Sequence, residues 1–154
     1  GAGRIQMATV NPTGTGRYCN KFAVRAIFTS YTAAAVTTAT LANFVMPCDG
    51  RIIGLDAWAL TTGTVGGTTT LDLLWASGAA STTFASLYTT AANRPVINNL
   101  TTTGSFVTAG LPDAGATAGT GVVLHKGDIL QLTATVSANN GPAGVAVSIA
   151  IGMP

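Results

Sequence analysis

Short segments of alternating apolar and polar residues, separated by turn signals about every ten residues, constrain this chain more than any other feature. The clearest is residues 129–136, where Leu130, Leu132 and Ala134 alternate with Gln131 and Thr133. Roughly seven to nine such segments are present, and that pattern is typical of an antiparallel sandwich or barrel. We therefore predict an all-β fold, an antiparallel β-sandwich or jelly roll with an extended N-terminal arm.

The sequence predicts some of these strands more clearly than others. The predicted strands are residues 22–29, 36–46, 51–60, 68–75, 84–90, 96–100, 105–109, 129–136 and 145–151. Residues 84–90 and 96–100 are the weakest, and the first also suits a short helix. In residues 51–60 the alternation places Ile53 with Leu55 on one face and Ile52 with Trp58 on the other. Both faces are apolar, so we expect this strand at the centre of a sheet or at an interface.

The sequence Pro47-Cys48-Asp49-Gly50 lies between two of these segments. Asp-Gly between apolar runs is a strong signal for a tight hairpin turn. We expect a hairpin here.

Composition excludes several other classes. Thr and Ala supply 26 residues each, Gly supplies 19, and Glu is absent from the 154 residues, which excludes a coiled coil or helical bundle. An apolar fraction of 47 % is too high for a disordered chain. No apolar run approaches the length of a membrane-spanning helix, and residues 1–10 lack the apolar region of a signal peptide.

Charge divides the chain into two parts. Residues 1–48 hold four basic residues and no acid, whereas residues 49–154 hold three basic residues and five Asp, a net of −2. We predict a basic arm over residues 1–20 and a β domain over residues 21–154. The candidate partner-binding residues are Arg4, Arg17, Lys21 and Arg25, which suit an acidic surface. They are sparse for binding nucleic acid directly, and a solvated tail without a partner is the alternative.

The residues that carry catalysis are scarce. The one histidine, His125, lies in a polar turn with Lys126 and Asp128, and no serine has the context of a nucleophile. Cys19 and Cys48 with one histidine cannot complete a four-ligand zinc site; they form one disulfide or remain two free thiols. We therefore predict no enzymatic activity, no metal and no cofactor.

The ends of two predicted strands resemble a pattern in virion proteins of tailed phages. Residues 44–55 read Phe-Val-Met-Pro-Cys-Asp-Gly-Arg-Ile-Ile-Gly-Leu, an apolar strand, a Pro-x-Asp-Gly turn and an Ile-rich strand. A Gly/Thr loop and the strand Thr-Leu-Asp-Leu-Leu at residues 70–74 follow. Residues 124–130, Leu-His-Lys-Gly-Asp-Ile-Leu, then precede a Thr-rich strand and an apolar closing strand. Over residues 36–151 the chain resembles small jelly-roll capsid decoration (cement) proteins, or knobs of head and tail fibres.

The resemblance implies a function and its partners. A decoration protein sits on the outer capsid surface of the virion as a homotrimer and ties major capsid subunits together. Arg4, Arg17, Lys21 and Arg25 would then meet acidic capsid surface, with no direct nucleic acid and no membrane involved. The alternative is a receptor- or glycan-binding knob, with Trp58, Trp75 or Tyr88 exposed around a groove. A bacterial surface module and a small hydrolase are further, less favoured interpretations.

Overall fold

The computed structural model describes residues 24–63, 66–78, 83–100, 105–108, 111–112, 123–137 and 140–154. Within these ranges the chain forms nine strands and one short 3-10 helix, Ala91–Asn93. The strands are β1 (Val24–Thr32), β2 (Ala39–Val45), β3 (Arg51–Thr61), β4 (Thr68–Ala76), β5 (Ala85–Ser86), β6 (Val96–Asn98), β7 (Ser105–Thr108), β8 (Ile129–Val136) and β9 (Ala143–Gly152).

The strands form two antiparallel sheets. The four-stranded sheet has the order β1-β9-β3-β7, and the five-stranded sheet has the order β2-β8-β4-β5, with β6 also paired to β4. The pairs are nested along the chain: β1 pairs with β9, β2 with β8, β3 with β7, and β4 with β5 and β6. Successive strands alternate between the two sheets except from β4 to β6, which share the five-stranded sheet. Nested pairs with this alternation have the strand order of a jelly roll. The predicted all-β sandwich is confirmed.

The core lies between the two sheets. Its fully buried side chains come from both inner faces and are mostly branched aliphatics, among them Leu55, Leu71, Leu73, Leu130, Leu132, Ile149 and Ile151. Phe28 of β1 and Phe44 of β2 stack across the edge of the sandwich, with ring centroids 4.8 Å apart and planes 12° from parallel. Packing of this kind holds sheet on sheet without help from charged groups.

Strand β3 departs from the simple alternation that we expected. The register against β9 shifts between Ile52 and Gly54. Because a bulge adds one residue to a strand, it reverses the side-chain alternation on its far side. Ile52 is therefore buried at 7 % exposure, whereas Ile53, predicted to share a face with Leu55, is 37 % exposed. The expectation that β3 is central is correct, since β9 and β7 flank it.

The hairpin predicted at Pro47-Cys48-Asp49-Gly50 is wrong. The strands on either side, β2 and β3, belong to different sheets. The turn instead carries the chain across the end of the sandwich, and Gly50 forms an isolated bridge with Leu124. A Cβ at Gly50 would lie 2.6 Å from the Gly152 carbonyl oxygen, so this glycine permits the crossing rather than a two-residue hairpin.

The weak segments between β4 and β7 form little regular structure. Residues 84–90 contain only the two-residue strand β5, and residues 96–100 contain the three-residue strand β6. The predicted arm, residues 1–20, lies outside the described residues. No helix in the described ranges is long and apolar enough to cross a membrane.

Candidate partner-binding site

Most of the described charged side chains lie at one end of the sandwich, which we call the basic end. Strand β1 begins here, the turn of residues 47–50 crosses here, and the turn of residues 125–128 leads into β8 here. The basic end is defined by Arg25, Asp49, Arg51, His125, Lys126 and Asp128. Three of the four described Lys and Arg residues are among them. The fourth, Arg94, pairs with Asp72 at 3.5 Å on the five-stranded sheet.

Arg25 is the one predicted partner-binding residue within the described ranges. Its side chain is exposed, and its Nη1 donates a hydrogen bond to the Asp49 carbonyl oxygen at 2.9 Å. This bond places the guanidinium beside the crossing turn, and it is the one hydrogen bond that the Arg25 side chain makes with the described residues. Arg4, Arg17 and Lys21 lie outside the described residues, in the segment that joins β1 at Val24.

The two turns of the basic end are tied together through Asp49. Its Oδ1 accepts a hydrogen bond from the Lys126 backbone N–H at 2.8 Å. The same oxygen lies 3.9 Å from His125 Nδ1, with both side chains more than half exposed. Ion pairs this exposed contribute little stability, so the backbone bond does most to hold the turns in register.

Asp128 anchors the second turn from inside. It is only 6 % exposed, and its carboxylate accepts hydrogen bonds from His125 N–H at 2.8 Å, Trp75 Nε1–H at 3.0 Å and Gly78 N–H at 3.4 Å. Desolvation raises the pKa of Asp128, but these three hydrogen bonds and the nearby His125 outweigh it, so the pKa lies below its ordinary value. Asp128 thus stays ionised and fixes the turn that presents Lys126.

Exposed apolar side chains surround these charges. Val45 is 63 % exposed and Met153 is 54 % exposed, and both lie at the same end of the sandwich. Val123 and Ile53 are exposed beside them, at 38 % and 37 %. A surface that mixes basic and apolar side chains suits contact with an acidic protein surface.

The three aromatic residues of the glycan-binding alternative do not form one platform. Tyr88 is buried at 3 % exposure, and the Trp75 ring packs against the core with its N–H bound to Asp128. Trp58 lies on β3, on the outward face of the other sheet. The structure therefore separates them, and Trp58 lines a surface depression.

The described residues contain no group of three or more His, Cys, Asp or Glu placed to hold a metal ion. Cys48 is partly exposed in the crossing turn. Its candidate disulfide partner, Cys19, lies outside the described residues, so the pairing stays an open alternative.

The Ser86 hydroxyl donates a hydrogen bond to Asp72 Oδ1 at 2.7 Å and accepts one from Arg94 Nη2 at 3.3 Å. This network holds β5 against β4.

Neither a protein-family model nor a curated protein sequence matches this chain. Among solved structures, the chain is similar to one in a structure of turnip yellow mosaic virus at 100 K. The two share 12 % identity with a TM-score of 0.28, over 84 % of this chain and 94 % of that chain. A likeness this distant carries no argument; the jelly roll rests on the strand order itself.

The partner-binding role of Arg25 stays a prediction, and sequence reasoning missed the anchoring role of Asp128. The run Lys126-Gly127-Asp128 suggests a local turn, in which the aspartate bonds to neighbouring backbone. Its bond to His125 N–H is of that kind, but its bond to Trp75 spans 53 positions. Such a partner is visible only once β4 and β8 are known to be neighbours.

Proposed function

We propose that this chain is a structural protein of a virion: a jelly-roll capsid decoration protein of a tailed phage. In this proposal it binds the outer capsid surface as a homotrimer and holds neighbouring major capsid subunits together, without catalysis or a cofactor. The observation that carries the proposal is the basic end, where three of the four described Lys and Arg residues lie. The sequence adds Arg4, Arg17 and Lys21 in the segment that joins β1 at this same end.

The physical argument has two parts. Basic side chains beside an acidic shell speed encounter and fix orientation, and their effect weakens as salt screens them. The exposed Val45 and Met153 would add apolar burial once the end is covered. Charge attraction and apolar burial across the boundary between two capsid subunits would both oppose the separation of those subunits.

The low content of charged residues also suits a protein whose surface is covered in its working state. Charged residues are only 8 % of the chain, against roughly a quarter in ordinary soluble domains. Two of the described charged residues outside the basic end, Asp72 and Arg94, form an ion pair and neutralise each other. Much of the remaining surface is therefore neutral and suited to packing against other subunits.

The test uses shells assembled from the major capsid protein encoded by the same genome. Light scattering is expected to give the full chain a mass of about three times 15.3 kDa. Co-sedimentation with the shells is expected to saturate and to weaken as salt rises from about 50 to 500 mM.

A matched pair of variants locates the contact. Arg25→Gln removes one positive charge at the basic end, and Thr135→Glu makes the same change in net charge on exposed β8 surface. We expect Arg25→Gln to weaken shell binding about three- to tenfold at low salt and Thr135→Glu to leave it unchanged. A monomer that does not sediment with the shells would overturn the proposal. Equal losses of shell binding in both variants would show that the basic end is not the surface that contacts the shell.

A further inference from the structure

A trough runs along the outward face of the four-stranded sheet, away from the basic end. Its volume is about 310 Å³, and strands β1, β9 and β3 line it. The floor is the β9 column of small side chains, Ala146 and Ser148. Larger side chains on β1 and β3 stand on either side of this column, so small residues in the middle strand create the depression.

The strand register brings two rows of side chains together across the trough. Tyr31 and Trp58 are both paired with Ala146, one from each side. Residues opposite one another on antiparallel strands share a face, so both aromatic residues flank the same alanine. Their backbones are two strand spacings apart, about 10 Å, so the two aromatic side chains rise from opposite sides of the β9 column.

The neighbouring row is polar. Thr29 and Asp56 are both paired with Ser148, which places two hydroxyls and one carboxylate in a line across the three strands. In the described part of the chain, none of these three side chains makes a hydrogen bond or an ion pair with another residue. Their polar groups are therefore available to a ligand lying beside Tyr31 and Trp58.

Tyr31 lines the trough and also approaches Gly144 of β9 and Leu60 of β3. A Cβ at Gly144 would lie 2.7 Å from Leu60 Cβ and 3.4 Å from the Tyr31 hydroxyl oxygen. The tyrosine ring thus leans over β9 towards Leu60, and glycine at position 144 makes room for it.

We propose that this trough binds a neutral sugar residue of a glycan. Aromatic walls pack against the apolar faces of a sugar ring, and hydroxyls together with a carboxylate bond its hydroxyl groups. The lining contains Asp56 and no Lys or Arg, so an anionic sugar would meet an unpaired negative charge. This inference is independent of the decoration function, because its residues are not those of the basic end.

The first measurement is an NMR titration of the full chain. The probes are the methyl glycosides of glucose, galactose and mannose, together with N-acetylglucosamine. The chain has two tryptophans, so the indole N–H of Trp75, bound to Asp128, serves as an internal control. We expect at least one probe to shift the Trp58 signal saturably, with a Kd on the order of 1 mM for a single sugar, and to leave Trp75 unmoved.

Variants then assign the two rows. Trp58→Ala and Asp56→Asn are each expected to weaken binding at least tenfold, while Trp58→Phe retains most of it. Tyr31→Ala tests the other wall in case Trp58→Ala does not fold. Val96→Ala, a change at a 43 % exposed position on the other sheet, is the matched control and is expected to bind as the unaltered chain does.

Three outcomes would each overturn the proposal. The first is the absence of any Trp58 shift with these probes and with a broad glycan array. The second is a Trp58 signal that shifts with protein concentration and is indifferent to sugar, which would make the trough an interface between copies of this chain. The third is an equal loss of binding in Val96→Ala and in the trough variants.

Discussion

At the scale of single residues, Asp128 is the clearest example of a charge used for structure. A buried carboxylate is costly unless hydrogen bonds replace its water, and here three donors do so. We expect Asp128→Ala to lower the free energy of unfolding by about 3 kcal/mol, because it leaves those donors unpaired. Asp128→Asn keeps one acceptor oxygen and should cost about 1 kcal/mol.

Urea unfolding at neutral pH measures both changes. Asp56→Asn is the control, since Asp56 makes no hydrogen bond or ion pair within the described residues, and it should change stability by less than about 0.5 kcal/mol. Equal losses for all three variants would contradict the anchoring role of Asp128.

The depressed pKa of Asp128 sets the direction of an acid effect. A carboxyl group whose pKa is lower in the folded than in the unfolded chain stabilises the fold at pH values above its unfolded pKa. The ordinary pKa of an aspartate side chain is 3.8. The stabilisation by Asp128 is lost as the pH falls from that value through the lower pKa of the folded chain. We expect the stability difference between the unaltered chain and Asp128→Asn to narrow as the pH falls from about 5 to about 2. A difference that stays constant over this range, measured by urea unfolding, would contradict it.

Glycine at position 144 offers a second test at this scale. Gly144 and Gly127 both have positive φ, 63° and 91°, but a Cβ would clash with Leu60 at the first and meet nothing within 4 Å at the second. Gly127→Ala should therefore cost only backbone strain, about 1–2 kcal/mol. Gly144→Ala adds the clash and should cost about 2–4 kcal/mol. Thermal or urea unfolding compares them, and a larger loss at Gly127 would contradict the crowding described for Gly144.

At the scale of elements, the bulge in β3 decides which of two adjacent isoleucines supports the core. Ile52→Ala should cost about 2–4 kcal/mol, as expected for a buried aliphatic side chain. Ile53→Ala, one residue along the same strand, should cost less than about 1 kcal/mol. Urea unfolding of the pair measures this, and a greater loss for Ile53→Ala would mean that the strand follows the simple alternation after all.

Strands were predictable from this sequence because the alternation that reveals them is local. The predicted bounds of β8 agree with the structure, and β3 and β4 differ by one residue at their C-terminal ends. Sheet partners were not predictable, because Asp49-Gly50 has the same local chemistry whether the chain reverses within one sheet or crosses to the other. The bulge at Ile52 was hidden for a similar reason: both isoleucines are apolar, and only pairing with β9 distinguishes them.

The candidate sites also differ in whether their residues are close together in the sequence or are brought together only by sheet pairing. Arg25 was proposed from the excess of basic residues near the start of the chain, and its role in binding a partner stays a prediction. The trough was not, because Tyr31, Trp58 and Asp56 belong to separate segments that only β9 brings together. Trp58 was among the residues proposed for a glycan platform, but the structure removes Trp75 and Tyr88 from that set.

At the scale of the whole molecule, the fold separates two surfaces. The basic end lies where β1 starts and where the turns of residues 47–50 and 125–128 meet, whereas the trough lies towards the other end of β1. A molecule that attached to a shell by its basic end would leave the trough facing solvent. This separation would allow the two proposed activities, attachment to a shell and ligand binding, to use different faces of one small chain.

Cryo-electron microscopy of the shells, incubated with the full chain, tests the central claim most directly. The expected result is three copies of the jelly roll around each three-fold or quasi-three-fold point of the outer surface. Arg25 and Lys126 should face the shell, and Trp58 should face away from it. Bare shells at saturating protein, or density inside the shell, would contradict the claim that this chain is a capsid decoration protein.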